Sequence, residues 1–228
     1  MKFAAAIFAL IVVALIVPFF IPGAGQKEGV DPNANLPWQV AVDDRGESTV
    51  FGLTPGTSTL GDVRRQFGDE LEVAIVAESN EVGLLEGYYA QVALGFVLAK
   101  VIVTVDAKNE AISEMRERAL KAKHMDSTTR KITLHPDDRA AAEGLPIKAI
   151  SVIPTVNLDE ATVIQRFGQP GERLVVSASR VHLLYPRLGL DVMVDADGKE
   201  LLQYVAPRQF SLLSEPLKAG AGGGASAQ

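Results

Sequence analysis

PGTSTLGDVRRQFG (residues 55–68) and PTVNLDEATVIQRFG (residues 154–168) decide the fold, because they are two copies of one pattern. Three residues of the first copy recur 100 positions later, so that Val63, Phe67 and Gly68 match Val163, Phe167 and Gly168. Apolar residues at helical spacing, followed by glycine, predict a short helix in each copy. Residues 57–59 and Asn157 offer oxygens for the N-caps of these helices.

The similarity continues after the two predicted helices. The Leu-Leu pairs at 84–85 and 183–184 are interpreted as equivalent, and IVTVDA (residues 102–107) resembles VMVDA (residues 192–196). A polar turn follows each of the last two stretches, which is typical of a hairpin. Each unit is therefore predicted to be a helix followed by three or four antiparallel strands. The second unit is expected to begin with a further strand and a short helix near Pro136.

This pattern resembles the SmpA/OmlA type of small outer-membrane assembly lipoproteins. It is also similar to β-lactamase inhibitor protein, which has two such units in tandem. The resemblance covers residues 50–115 and 147–206 and implies a binding module instead of an enzyme. The chain has no cysteine to carry a lipid anchor, and so it departs from the lipoprotein pattern.

The N-terminal stretch FAAAIFALIVVALIVPFFI (residues 3–21), which runs from Phe3 to Ile21, contains no charged side chain. Nineteen residues at about 1.5 Å each would span roughly 28 Å as a helix, close to the thickness of a hydrocarbon core. A single transmembrane anchor is therefore predicted, with the N-terminus cytoplasmic and the remainder exported. The resemblance to the outer-membrane lipoproteins implies that this membrane is a bacterial inner membrane and that the remainder lies in the periplasm. A cleaved signal peptide is the alternative interpretation.

The predicted fold class is α+β: an N-terminal transmembrane helix followed by two related units of a helix and an antiparallel sheet. The predicted segments are a membrane anchor (1–25), a juxtamembrane linker (26–47), the first unit (48–128), the second unit (129–217) and a flexible tail (218–228).

Composition and motifs argue against several classes of function. A net charge of -6 disfavours binding to nucleic acid, and the absence of cysteine excludes thiolate metal sites and cysteine nucleophiles. The three histidines lack metal-ligand spacing, and no phosphate-binding loop or nucleophile elbow occurs. The sequence therefore predicts no catalytic residue, no cofactor and no metal, and the protein is not expected to be an enzyme.

An apolar stretch at residues 86–100 is longer than its counterpart in the second unit. It is interpreted either as a buried part of the core, or as an exposed surface for a partner or for the membrane. In the second case Tyr88, Tyr89 and Phe96 are the predicted partner-binding residues, since aromatic side chains supply large contact areas.

The sequence thus favours a membrane-anchored interaction module of the cell envelope, which binds another envelope protein. A carrier or sensor of a lipid or small apolar ligand is the alternative.

Overall fold

A computed structural model describes residues 34–78, 81–124 and 129–223. The helices are α1 (Leu60–Phe67), α2 (Asn109–Glu117), α3 (Pro136–Ala142), α4 (Glu160–Phe167) and α5 (Ser211–Gly223). The strands are β1 (Ala41–Val42), β2 (Ser48–Thr49), β3 (Glu72–Ala77), β4 (Leu84–Leu94), β5 (Val97–Val105), β6 (Lys121–His124), β7 (Arg130–Thr133), β8 (Ile147–Pro154), β9 (Glu172–Val175), β10 (Arg180–Tyr185), β11 (Leu190–Asp195) and β12 (Leu201–Val205).

Ten of these strands form one antiparallel sheet in the order β6-β7-β3-β4-β5-β8-β12-β11-β10-β9, while β1 and β2 form a separate hairpin. The order β3-β4-β5-β8 on one side of the centre mirrors β9-β10-β11-β12 on the other. The two central strands, β8 and β12, pair with Ser151 opposite Gln203. The sheet is therefore two related four-stranded halves joined edge to edge, with β6 and β7 added at one end.

Strand register shows which residues of the two halves are equivalent. Tyr88 lies opposite Glu72 and Ile102, whereas Leu184 lies opposite Glu172 and Asp191. Tyr88 therefore corresponds to Leu184, and Tyr89 to Tyr185. The predicted equivalence of residues 84–85 with 183–184 is wrong, because the longer β3–β4 connection shifts the register of the first half.

The inner face of the sheet carries the main core. Alternate residues of β5 point inward, and Val97, Ala99, Val101, Val103 and Val105 are all buried. Val63 of α1 and Val163 of α4 are buried in the same core as these strands. Gly68 and Gly168 end the two helices at positive φ, +100° and +83°, where a side chain would strain the backbone. The helix prediction for both copies is thus confirmed.

The outer face is covered differently on its two halves. Helix α5 packs over the second half, where Leu184, Val205 and Phe210 form a small buried cluster with Leu213 and Leu217. On the first half, by contrast, outward residues of β4 and β5 such as Tyr88 and Ile102 remain half-buried. The outer face is therefore asymmetric, although the sheet beneath it is repeated.

The predicted fold class requires correction. The two units do not have separate sheets, because hydrogen bonding between β8 and β12 merges them into one. None of the five helices in the described part of the chain combines the length and apolar character that crossing a membrane requires. Residues 3–21, on which the transmembrane prediction rests, lie outside the described residues, so an N-terminal transmembrane helix is not supported.

Three segments lie in places that the sequence interpretation does not anticipate. Strand β7 pairs with β3 and so extends the first half of the sheet, although residues 129–146 are predicted to belong to the second unit. Residues 34–47, interpreted as linker, pack on the body: Leu36 is buried, and the hydroxyl of buried Tyr204 donates to the carbonyl of Pro37 at 2.8 Å. Residues 218–223, interpreted as tail, belong to α5.

Candidate functional site: the outer face and the hairpin tip

The β4–β5 hairpin separates the three aromatic residues that are predicted to bind a partner. Tyr88 points to the outer face and is half-buried, whereas Tyr89 points inward and is 1% exposed. Phe96 lies in the turn of the hairpin and is 57% exposed. Phe96 follows Tyr88 by eight positions, about 26 Å at a strand rise of roughly 3.3 Å per residue. The three residues therefore lie in three different environments.

Tyr89 is a core residue that fixes the end of α1. Its hydroxyl donates a hydrogen bond to the carbonyl oxygen of Gly68 at 2.6 Å, and its ring packs against Phe67 with centroids 5.8 Å apart. Tyr185 makes the equivalent contacts in the second half, with Gly168 at 3.0 Å and Phe167 at 5.8 Å. Burial raises the pKa of both tyrosines to about 12. This repeated contact accounts for Tyr89 without any partner.

Phe96 belongs to an exposed aromatic cluster at the end of the sheet. Its ring lies 5.8 Å from that of half-buried Trp38, and the guanidinium of Arg166 lies 4.6 Å from the centre of the Trp38 ring. Two further exposed apolar side chains, Leu98 and Val156, follow in the adjacent strand and loop. No sequence pattern connects Trp38 with Phe96, because strands β1 to β4 separate them along the chain.

A second candidate surface lies on the first half of the outer face and continues across the centre of the sheet onto β12 and β11. Its half-buried apolar residues lie on neighbouring strands: Tyr88, Ile102, Ile153, Leu201 and Met193. Lys100, which is exposed, lies opposite Ile153 in the register. Among the described residues, Glu86 has no hydrogen-bond or ion-pair partner, and burial raises the pKa of its carboxyl group. The surface is thus mainly apolar, with Ser151 and Gln203 among its apolar residues. Its charged neighbours include Lys100, the unpaired Glu86, and Glu72, which forms an ion pair with Lys131.

A buried pair, His182 and Asp191, lies on the outer face of the second half. The Nδ1 atom of His182 is 2.8 Å from a carboxylate oxygen of Asp191, and both residues are buried. Sequence reasoning missed this pair, since only strand pairing brings the two residues together. No hydroxyl group of the described residues is hydrogen-bonded to His182, so the pair lacks the nucleophile of a catalytic triad.

His135 takes part in local structure. It is the N-cap of α3, where its Nδ1 atom accepts a hydrogen bond from the backbone N–H of Asp137 at 3.4 Å. Asp138, which could have joined His135 at a metal, is instead held by Arg118 at 2.7 Å. The hydrogen bond from Arg118 lowers the pKa of Asp138. Within the described residues, no group of three or more histidine, aspartate or glutamate side chains could hold a metal ion.

An apolar cavity of about 380 Å³ lies beside the end of α4. Its lining includes Val42, Phe167, Tyr185 and Leu188. Its volume is at the lower end of the range for small-molecule sites. The lining comes from the end of α4, from β10 and the residues after each of them, and from Val42, and it includes no residue of the apolar stretch at 86–100.

Comparison of the chain with protein-family models, with curated proteins and with solved structures finds no match. The resemblance to SmpA/OmlA lipoproteins and to β-lactamase inhibitor protein therefore stays a prediction.

Proposed function

We propose that this protein is an interaction module of the bacterial cell envelope, and that the first half of its outer face binds another envelope protein. The observation that supports this proposal is the unequal covering of the repeated sheet. Tyr88, Ile153 and Leu201 form an apolar surface whose side chains are only half-buried, whereas Leu184 and Val205 are buried in the cluster that α5 makes on the second half. Contiguous apolar surface of this kind is typical of protein–protein contacts.

The packed sheet makes the proposed binding surface rigid. Central residues directly beneath the surface, such as Ile150, Val152 and Leu202, are fully buried, so the backbone that carries the outer side chains is held from the inner face. A preorganised surface loses little conformational entropy when it binds, which favours affinity.

The proposal also includes attachment to the bacterial inner membrane through residues 3–21, with the described body in the periplasm. Attachment would raise the effective concentration of a partner in the same membrane without requiring any additional contact. Trp38, which contacts Phe96 and Arg166 in the exposed cluster, follows closely after Ala34, where the described chain begins. Aromatic and cationic side chains of this type suit a membrane–water interface.

The test is to purify the full chain in mild detergent and to identify any protein that co-purifies in fixed stoichiometry. The informative variant is Ile153→Asp, which places a charge on the proposed surface. Leu120→Asp is the matched control, because Leu120 is 62% exposed outside that surface. We expect the partner to remain with the wild type and the control, and its yield to fall about tenfold or more with Ile153→Asp.

Two results would contradict the proposal. The first is a full-length protein that emerges alone and monodisperse. The second is a partner whose recovery is unaffected by Ile153→Asp while thermal unfolding shows that the variant is folded. Bound lipid detected by native mass spectrometry would instead support the carrier function, for which the apolar cavity beside Phe167 and Tyr185 is the candidate site.

A further inference from the structure

Helix α5 shows how the second half of the outer face binds a helix. Leu184 and Val205 are buried under it, and Ala149 of β8 packs against the same cluster. From the helix, Leu213 and Leu217 contribute the apolar stripe, with the four-residue spacing of one helix face. Lys218 then forms an ion pair with Glu172 of the edge strand at 2.7 Å. We call Ala149, Leu184 and Val205 the α5 seat.

The internal repeat relates the α5 seat to a second set of residues. Ser151 and Gln203 face each other at the centre of the sheet and are equivalent in the two halves. Two residues after this pair, Ile153 of β8 is therefore equivalent to Val205 of β12. Two residues before it, Ala149 is equivalent to Leu201. The strand pairing described above makes Leu184 equivalent to Tyr88. We call Tyr88, Ile153 and Leu201 the open seat.

The open seat keeps the apolar character of the α5 seat. All three of its residues are large and apolar or aromatic, and all three are half-buried on the outer face. The described chain takes a different course after each of the two central strands. After β12 it turns through Pro207–Gln209 onto the outer face as α5, whereas after β8 it leads to α4, whose Val163 is buried in the inner core. The first half therefore has no counterpart of α5 among the described residues.

We propose that the open seat binds an amphipathic α-helix of the partner, in the way that the α5 seat binds α5. This inference rests on the proposed function and names the chemistry of the partner. The helix should carry an apolar stripe at positions i, i+3, i+4 and i+7, as in other helix-in-groove complexes. It should also carry a lysine or arginine against Glu86, because that half-buried carboxyl group has no partner of its own in the described residues.

The test is site-specific photo-crosslinking of the full chain in membranes of cells that express it. Benzoylphenylalanine replaces Tyr88, Ile153 or Leu201 in turn, and replaces Leu120 as the control outside the seat. Mass spectrometry then identifies the cross-linked residues of the partner. We expect all three seat positions to react with one segment, at residues spaced three or four apart, and we expect Leu120 to yield no such adduct.

The outcomes separate this inference from the proposed function. Adducts on a partner segment with a two-residue spacing would mean an extended strand, and would overturn the helix while leaving the interaction module intact. Adducts with lipid alone, or none at all, would overturn both. As a second measurement, Glu86→Lys should lower the adduct yield at Tyr88 about tenfold through charge repulsion, and a reversed charge on the mapped helix should restore it. An unchanged yield with Glu86→Lys would contradict the predicted cation.

Discussion

Two adjacent tyrosines show how much a single position matters in a strand. Tyr88 and Tyr89 look equally suited to a partner in the sequence, yet successive strand residues point to opposite faces, and so only one of them can reach the outer face. Alternation predicts that the two differ, but it does not say which one is buried. The register against Glu72 and Ile102 decides that, and this register comes from tertiary pairing that the sequence alone does not reveal.

Replacing Tyr89 by phenylalanine should destabilise the protein without changing its surface. The variant loses the hydrogen bond to the carbonyl of Gly68, so the free energy of unfolding should fall by about 1 kcal/mol. Tyr185→Phe is the matched variant and should have a similar effect, because it loses the bond to Gly168. Urea unfolding measures both changes. Unchanged stability together with lost partner binding would show that Tyr89 is a contact residue after all.

The same two tyrosines should make the protein sensitive to high pH. Burial raises the pKa of each to about 12 in the folded state, above the ordinary value of about 10 in the unfolded chain. Since ionisation is easier after unfolding, their contribution to stability is complete below about pH 10 and is lost as the pH rises toward about 12. Ultraviolet titration of phenolate absorbance should show a late phase that shrinks in Tyr89→Phe and in Tyr185→Phe. A late phase that is unchanged in both variants would contradict the assignment.

At the scale of elements, the sequence predicted where helices lie better than it predicted their caps and the strands that follow them. Helices α1 and α4 lie where the repeated motif placed them, but α4 is capped by Asp159 instead of Asn157. The stretch from Glu110 to Lys123 is rich in helix-forming residues, yet α2 ends at Glu117 and residues from Lys121 onward form β6. Pairing with β7 outweighs the helix propensity of that stretch, and propensity alone cannot foresee a long-range partner.

Removing the N-cap of α1 should destabilise the protein. The side chain of Thr59 accepts a hydrogen bond from the backbone N–H of Asp62, and the carboxylate of Asp62 accepts one from the N–H of Thr59, which completes a capping box. Thr59→Ala should therefore lower the free energy of unfolding by about 1 kcal/mol. Circular dichroism during urea unfolding measures the change, and a variant as stable as the wild type would show that the cap contributes nothing.

Asp159 caps α4 through its carboxylate, which accepts the N–H of Thr162 at 2.7 Å. The hydrogen bonds from Thr162 lower the pKa of Asp159. The stabilising effect of this cap is therefore present above the ordinary pKa of about 3.9 and is lost as the pH falls through the lower folded value. Asp159→Ala should be less stable than the wild type at neutral pH, and the difference should shrink in acid. Urea unfolding at a series of pH values measures it, and a difference that is constant with pH would rule out a charged cap.

At the scale of the whole molecule, the repeat predicted two related units but not their fusion. Apolar patterning identifies strands and their inward faces, yet it does not specify which strands become neighbours. Nothing in the sequences of β8 and β12 distinguishes a sheet edge from a sheet centre. The sequence also did not predict that a helix covers only one half of the outer face. Residues 218–228 are interpreted from the sequence as a flexible tail, but residues 218–223 belong to α5. The candidate binding surface follows from both features, so only the structure reveals it.

Helix α5 offers the clearest test of that asymmetry, because two adjacent leucines have opposite environments. Leu213 packs into the cluster with Leu184 and Val205, whereas Leu212 is 44% exposed. Leu213→Asp would place an unpaired charge at a half-buried position against this apolar cluster, so it should lower the free energy of unfolding by about 1–3 kcal/mol and expose the α5 seat. Leu212→Asp should change stability by less than about 0.5 kcal/mol. Urea unfolding and binding of a hydrophobic dye measure the two effects. If both variants behaved alike, α5 would not cover the second half, and the contrast between the two halves on which the open seat depends would disappear.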